Sequence, residues 1–214
     1  HNALLIVDNT FLTPALSRPF EFGADITVYS GTKYLSGHND VVAGLAVART
    51  NELAERLAFF QNAAGAILGP MDSWLLLRGL KTLVLRLKKQ EENARIVAEF
   101  LARHPRVARV YYPGLPAHPG HETLRRQSSG WGAMIAFEVD DPARVAEILS
   151  GVRVFLFAES LGGTESLITF PALQTHADLD PATRERLGIN DRLLRLSIGI
   201  ENADDLVDDL NSVL

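Results

Sequence analysis

The chain has 214 residues, of which 47% are hydrophobic and 22% are charged, enough for a sizeable apolar core in one large domain or one and a half. Its 21 basic and 26 acidic residues give a net charge of −5 without basic clusters, which argues against nucleic-acid binding. No apolar stretch is long enough to cross a bilayer, and the absence of cysteine excludes disulfides and thiolate chemistry. We expect a cytoplasmic protein.

The first 84 residues alternate short apolar runs with helical patterns. Runs at residues 4–7, 26–29 and 42–48 predict strands, the first of them buried in a parallel sheet, and residues 52–61 predict a helix. This order predicts part of an α/β sheet domain. Because the first run begins only a few residues into the chain, we expect an upstream part of the domain to be missing.

A long helix is predicted between residues 72 and 103, where leucines recur at spacings of three and four and proline is absent. Its single glycine, Gly79, predicts a kink. We expect this helix to link a first domain, residues 1–84, to a second domain, residues 85–214.

The second domain mixes helices with strands of antiparallel type, which predicts a small α+β domain. The predicted strands are residues 107–112, 134–139, 152–157 and 194–199, and the predicted helices are residues 142–149 and 204–214.

Polar side chains follow the first two predicted strands. Asp8 ends the first strand, and Ser30, Thr32 and Lys33 follow the second. Ligands of open α/β sheets bind beyond the carboxyl ends of the strands. A desolvated lysine offers a free amine for Schiff-base chemistry, an aspartate can keep a ring nitrogen protonated, and hydroxyls with turn amides suit a phosphate. Each residue taken singly is as readily a cap or a surface group, so the prediction depends on the set.

The motifs allow two other interpretations. The run from Ser30 to Lys33 matches the Ser-x-x-Lys pattern of acyl-serine hydrolases, but the Ser-Asp-Asn and Lys-Thr-Gly elements that accompany that pattern do not occur. His118 and His121 have the spacing of a metal-binding pair, but Glu122 is the only adjacent carboxylate. We therefore expect no metal site.

Four motifs in order resemble the cystathionine synthase and lyase family, the fold type I pyridoxal-phosphate enzymes of trans-sulfuration, with bacterial cystathionine lyases and synthases the nearest group. The resemblance covers essentially the whole chain. The motifs are VDNTFLTP at residues 7–14, YSGTKYLSGHND at residues 29–40, the loop AESLGGTESLI at residues 158–168 with QTHA at residues 174–177, and LRLSIGIE at residues 194–201.

The resemblance implies a portion of a mostly parallel sheet domain and a small α+β C-terminal domain. It implies pyridoxal phosphate as the cofactor, carried by Lys33, which also serves as the general base. Asp8 would face the pyridine nitrogen, and Ser30 and Thr32 would hold the phosphate.

The resemblance also implies residues that bind a sulfur amino acid. Arg195 would grip the substrate carboxylate, Ser160 would help to orient that carboxylate or Lys33, and Thr175 would also bind the substrate. Glu159 is either a partner for the distal ammonium of cystathionine or an exposed loop glutamate. The implied reaction is β-elimination from cystathionine, with γ-elimination and γ-replacement left open.

Members of the family have a further N-terminal stretch that is absent here, so we expect the chain alone to have an incomplete active site. The family also implies a homo-oligomer, either a dimer or a tetramer.

Overall fold

The structure, a computed structural model, describes residues 3–174 and 178–214. These residues form two compact units. The first contains the residues up to 85 together with residues 122–131, and the second contains residues 86–121 and 132–214. Within the described ranges, no helix is long and apolar enough to cross a membrane.

The first unit is built on a three-stranded mixed sheet. Its strands are β1 (Ile6–Asp8), β2 (Ile26–Ser30) and β3 (Gly44–Ala48), in that order across the sheet. β1 and β2 are parallel, with Asp8 opposite Val28, whereas β2 and β3 are antiparallel, with Ser30 opposite Gly44. The parallel pair brings the carboxyl ends of β1 and β2 to the same edge of the sheet.

Helices α1 (Thr13–Leu16), α2 (Asn51–Ala64) and α3 (Pro70–Leu80) belong to this unit. A single turn of 3₁₀ helix at Pro19–Phe22 precedes β2. Residues 122–131 return to the unit because Ser129 N donates to Leu16 O at 2.8 Å and Ser17 Oγ donates to Gln127 O at 3.0 Å.

The expected burial of the first strand is wrong. The strand and its parallel partner are present, but Leu4, Leu5 and Ile6 are 53%, 48% and 57% exposed. β1 is an edge strand with β2 on one side. A strand is buried on both faces only when further layers cover the sheet.

The long helix expected at residues 72–103 is two helices, α3 and α4 (Leu83–Leu101). The chain breaks after Gly79, where Lys81 N bonds Arg78 O at 3.2 Å and Thr82 N bonds Gly79 O at 3.2 Å. Gly79 itself lies inside α3. A Cβ there would come within 2.1 Å of Ser36 O, so glycine allows α3 to pack closely against the segment that follows Lys33.

The second unit contains a five-stranded sheet made of β4 (Val107–Tyr111), β5 (Met134–Val139), β6 (Leu156–Phe157), β7 (Leu167–Thr169) and β8 (Leu193–Ser197). Across the sheet they lie in the order β4, β5, β8, β7, β6. The central pair, β5 and β8, is antiparallel and supplies fully buried side chains to the core, including Phe137, Leu194 and Leu196. The helix α5 (His121–Gln127) lies almost entirely in the segment that returns to the first unit, and the second unit also contains α6 (Val145–Gly151), α7 (Pro181–Arg186) and α8 (Ala203–Val213).

The strand expected at residues 152–157 is shortened to Leu156–Phe157. The backbone N–H groups of Arg153, Val154 and Phe155 donate instead to the buried carboxylate of Asp209 on α8, at 2.8, 2.9 and 2.9 Å. These donors are therefore unavailable to a sheet ladder.

Candidate functional site

The end of β1 is held to the end of β2 by Thr10. Asp8 Oδ1 accepts two hydrogen bonds from Thr10, one from its backbone N at 3.0 Å and one from its Oγ1 at 2.6 Å. Thr10 Oγ1 in turn accepts from Ser30 N at 2.8 Å. Asn9 continues the parallel ladder, since its N donates to Val28 O at 3.0 Å. Asp8 is therefore held beside the strand that leads to Lys33.

Lys33 lies in one wide helical turn directly after β2, Gly31–Leu35, which we term the lysine turn. Ser36 N closes this turn on Gly31 O at 3.0 Å, and Gly37 N bonds Lys33 O at 2.9 Å. Lys33 departs from helical geometry, with φ −91° and ψ −126°, and is half-buried. The turn is short and bonded at both ends, so it fixes the backbone from which the lysine side chain extends.

The start of the lysine turn is anchored on Ala43. Gly31 N donates to Ala43 O at 2.8 Å, and Ala43 N donates to Thr32 Oγ1 at 3.0 Å. Thr32 Oγ1 also lies 3.4 Å from Ala43 O, a long contact that leaves its hydrogen able to turn to another acceptor. A Cβ on Gly31 would come within 2.9 Å of Ala43 Cβ, which cannot move away without the backbone, so the close approach requires glycine.

In the second unit, Arg195 lies on β8 between the fully buried Leu194 and Leu196, as alternation predicts. Its Nη2 donates to Ser160 O and to Thr169 Oγ1, both at 3.2 Å. Thr169 Oγ1 donates to Ala158 O at 3.0 Å. Because the threonine hydrogen goes to that carbonyl, its lone pairs are directed to the guanidinium. Thr169 thus orients Arg195.

Buried polar groups of β8 and α4 hold the backbone of the loop at residues 158–166. Ser160 adopts φ +79°, which is uncommon for a residue with a side chain. Gly162 N donates to Ser197 Oγ at 2.8 Å, and Gln90 Nε2 on α4 donates to Gly163 O at 2.7 Å. These bonds fix the backbone whose Ser160 carbonyl accepts from Arg195.

A second network fixes the end of β8. Glu201 accepts from Ser166 N at 2.6 Å and Ser166 Oγ at 2.8 Å, and Ser166 Oγ accepts from Gly199 N at 2.8 Å. Asn93 Nδ2, fully buried on α4, donates to Gly199 O at 3.1 Å and Glu201 O at 2.8 Å. The segment after Arg195 is therefore bound to the loop and to α4.

The two histidines with metal-ligand spacing contact the backbone of their own loop through their side chains. His118 Nδ1 accepts from Gly120 N at 3.0 Å, and His121 Nδ1 lies 2.8 Å from Pro113 O. Burial, and then the charge of His121, lowers the pKa of His118. Across residues 3–174 and 178–214, no group of three or more His, Asp or Glu side chains could hold a metal ion.

The predicted site residues fall into two sets. Asp8, Ser30, Thr32 and Lys33 meet at one edge of the first sheet, whereas Arg195 and Ser160 are joined by a hydrogen bond in the second unit. Glu159 is exposed beside Ser160, and Thr175 lies outside the described residues.

The sequence interpretation missed Thr10 and Thr169. The Asp-x-Thr spacing of a side-chain turn could have indicated Thr10. Thr169 has no local signal, because its role depends on the pairing of β7 with β8.

A carboxylate, hydroxyls and a lysine at adjoining strand ends have the chemistry that a phosphorylated cofactor bound through a lysine requires. All of the chain, residues 1–214, matches the family described as Cys/Met metabolism PLP-dependent enzyme. The chain belongs to this family, whose cofactor is pyridoxal phosphate.

The relatives of the chain are enzymes of cystathionine chemistry. It is 51% identical over 214 residues to cystathionine beta-lyase from Lactococcus lactis subsp. cremoris strain MG1363, and this match covers 100% of this chain and 56% of the relative. It is 52% identical over 211 residues to cystathionine gamma-lyase from Bacillus subtilis strain 168, with coverages of 99% and 56%. The crystal structure of cystathionine gamma synthase from Xanthomonas oryzae pv. oryzae matches with a TM-score of 0.97 at 51% identity, over 99% of this chain and 55% of that one.

These matches confirm the family and the fold class expected from the four motifs. The chain spans about half the length of the relatives it matches, between 55% and 56%.

The residues of the first unit fit pyridoxal phosphate by their chemistry. Both hydrogen bonds of Asp8 go to Oδ1, and no donor within the described part of the chain reaches Oδ2. Asp8 is exposed, so this oxygen is open to a protonated ring nitrogen. Ser30 offers a hydroxyl that makes no hydrogen bond within the same described part, and Lys33 supplies the amine.

Proposed function

We propose that this chain is part of a pyridoxal-phosphate enzyme that cleaves cystathionine by β-elimination, releasing homocysteine, pyruvate and ammonia. The observation that carries the proposal is the juxtaposition of Asp8 with the lysine turn. Asn9 N and Ser30 N, each bonded across the two strand ends, hold the carboxylate beside the strand that leads to Lys33.

The four residues of the first unit have distinct roles in this proposal. Lys33 binds the cofactor and then takes the proton from the substrate Cα as general base. Asp8 keeps the pyridine nitrogen protonated by pairing a negative charge with it. Ser30 and Thr32 donate to the phosphate. Bound pyridoxal phosphate supplies the sink for the electron pair that the departing Cα proton leaves behind.

Residues of the second unit recognise the amino acid in this proposal. Arg195, oriented by Thr169, binds the substrate carboxylate through its planar guanidinium. Ser160 and Thr175 help to orient the substrate. Glu159 is exposed, and as a carboxylate it would pair with the distal ammonium of cystathionine.

Cofactor attachment is tested on the complete protein with pyridoxal phosphate. Borohydride reduction makes the lysine–cofactor bond permanent, and peptide mapping by mass spectrometry locates it. We expect one modified residue, Lys33, with labelling lost in Lys33→Ala and kept in Lys81→Arg, which changes an exposed lysine. Labelling spread over surface lysines would contradict the assignment.

A second candidate is γ-elimination or γ-replacement on the same residues. It is favoured by the near-equal identities to relatives of each kind, 51%, 52% and 51%. Incubating the complete protein with cystathionine, and separately with an acylated homoserine and cysteine, distinguishes the reactions. β-Elimination gives homocysteine and pyruvate, γ-elimination gives cysteine, and γ-replacement gives cystathionine.

We further propose a cytoplasmic homo-oligomer, either a dimer or a tetramer. Large apolar side chains of α2, α3 and the segment between them are exposed, which supports self-association. Sedimentation velocity of the complete protein tests this, and a monomer at micromolar concentration would refute it. The side chains are Phe59, Phe60, Ile67, Met71, Trp74 and Leu77.

A further inference from the structure

The hydrogen-bond pattern at the end of β1 gives Thr10 a single possible arrangement. Its hydroxyl can donate one hydrogen and accept through its lone pairs. Ser30 N is a donor only, so Thr10 Oγ1 accepts from it at 2.8 Å. The threonine hydrogen is then left for Asp8 Oδ1, 2.6 Å away, and an ionised carboxylate can only accept it.

The two oxygens of Asp8 consequently differ. Oδ1 accepts both the hydroxyl and the backbone N–H of Thr10, whereas no described residue donates to Oδ2. Thr10 is buried and Asp8 is exposed, so the positioning bonds lie on the protein side of the carboxylate. A hydrogen bond to a charged acceptor is stronger and more directional than one between neutral groups.

We propose that Thr10 is a positioning residue that orients Asp8 so that Oδ2 faces the pyridine nitrogen of the cofactor. This inference rests on the proposed function of Asp8. The alternative is that Thr10 only ties the turn after β1 to the backbone of β2, as side-chain turns commonly do. The two roles differ in one respect, because an effect that passes through Asp8 requires the Asp8 carboxylate.

A double-mutant cycle in the complete protein separates the two roles. The dissociation constant of pyridoxal phosphate is measured by absorbance titration for the unchanged protein, Thr10→Val, Asp8→Ala and the double variant. Valine keeps the size of threonine and removes its hydroxyl. We expect Thr10→Val to weaken binding about tenfold, the loss of one hydrogen bond to a charged group. In the Asp8→Ala background the same change should alter binding by less than about twofold.

One further variant and the unchanged protein complete the test. Thr10→Ser keeps the hydroxyl and should bind the cofactor within about twofold of the unchanged protein. A tenfold loss that persists without the Asp8 carboxylate, or a Thr10→Val protein that binds normally, would overturn the inference while leaving the proposed function intact. Failure of the unchanged protein to take up pyridoxal phosphate at Lys33 would overturn both.

Discussion

Replacing Asp209 by alanine tests what fixes the backbone of residues 153–155, which precede the loop at residues 158–166. The carboxylate accepts three backbone N–H groups, one on Oδ1 from Arg153 and two on Oδ2 from Val154 and Phe155. Arg153 is exposed, so its N–H can turn to water, whereas Phe155 is 2% exposed and its N–H would be left without an acceptor. Each bond lost without replacement costs about 1–3 kcal/mol, so we expect a loss of about 3 kcal/mol.

Hydrogen exchange of the complete protein measures this loss of stability at the individual backbone amides. A cost of about 3 kcal/mol lowers the protection of the amides at residues 153–155 by about two orders of magnitude. Asp209→Asn keeps one oxygen for the two Oδ2 bonds and should lose only about tenfold. Asp208→Ala makes the same substitution at an exposed neighbour on α8 and controls for helix propensity. Equal protection in Asp208→Ala and Asp209→Ala would refute the reasoning.

Three further predictions concern single contacts. In Gly79→Ala, helix propensity gains about 1 kcal/mol, but the Cβ meets the backbone after the lysine turn at 2.1 Å. We expect a lower thermal midpoint, whereas Gly44→Ala, with nothing within 4 Å, should be tolerated, and equal midpoints would argue against close packing there. Thr169→Val removes the acceptor that orients the guanidinium of Arg195, so the KM for substrate should rise about tenfold with kcat less affected. Thr169→Ser keeps the acceptor and should restore the KM. Burial and the hydrogen bond to Glu138 raise the pKa of Tyr111 above its ordinary 10.0. Stability from this proton is therefore present below pH 10.0 and is lost as the pH rises through the higher pKa of the folded protein. Ultraviolet titration by difference against Tyr111→Phe checks this, and an unchanged midpoint in Glu138→Gln would contradict the assigned cause.

The arrangement at the first sheet was predictable because it depends on local order. An apolar run is followed at once by Ser30 and by the polar segment that leads to Lys33. This order predicts a strand that ends in a polar turn. A second run that ends in Asp8 needs only parallel pairing to bring the carboxylate to the same edge, and parallel pairing is what βαβ-type spacing favours. The role proposed for Lys33 still required the family resemblance, because a lysine in a turn is by itself uninformative.

The errors arose where distant residues decide the backbone bonding. Residues 152–155 have the composition of a strand, yet their N–H groups bind Asp209, more than fifty positions along the chain. β7 was overlooked because Leu167–Thr169 has three residues, too few to establish alternation. Its place between β6 and β8 is set by pairing with strands on either side in space.

The helical periodicity of α4 does predict that one of its polar residues is buried. Gln90 falls in the apolar stripe of this helix, where a side chain is expected to be buried, and a buried amide must find partners. Its partner is Gly163 O, and Asn93, one turn further, binds Gly199 O. A leucine at position 90 would fill similar space but leave the Gly163 carbonyl without its donor. The stripe comprises Leu83, Leu87, Gln90, Ala94, Val97 and Leu101, at spacings of four, three, four, three and four.

These two amides bind loop backbone and not other side chains. A backbone carbonyl is present whatever residue occupies the position. Gln90 therefore holds the loop at residues 158–166, and Asn93 holds the segment after β8, through bonds that do not depend on the side chains of those segments. This arrangement suits a family whose members perform elimination and replacement on related substrates. Exposed positions such as Glu159 can vary without disturbing the bonds that hold Arg195 to Ser160 and Thr169. A substitution at Glu159 therefore leaves the contacts that position the arginine in place.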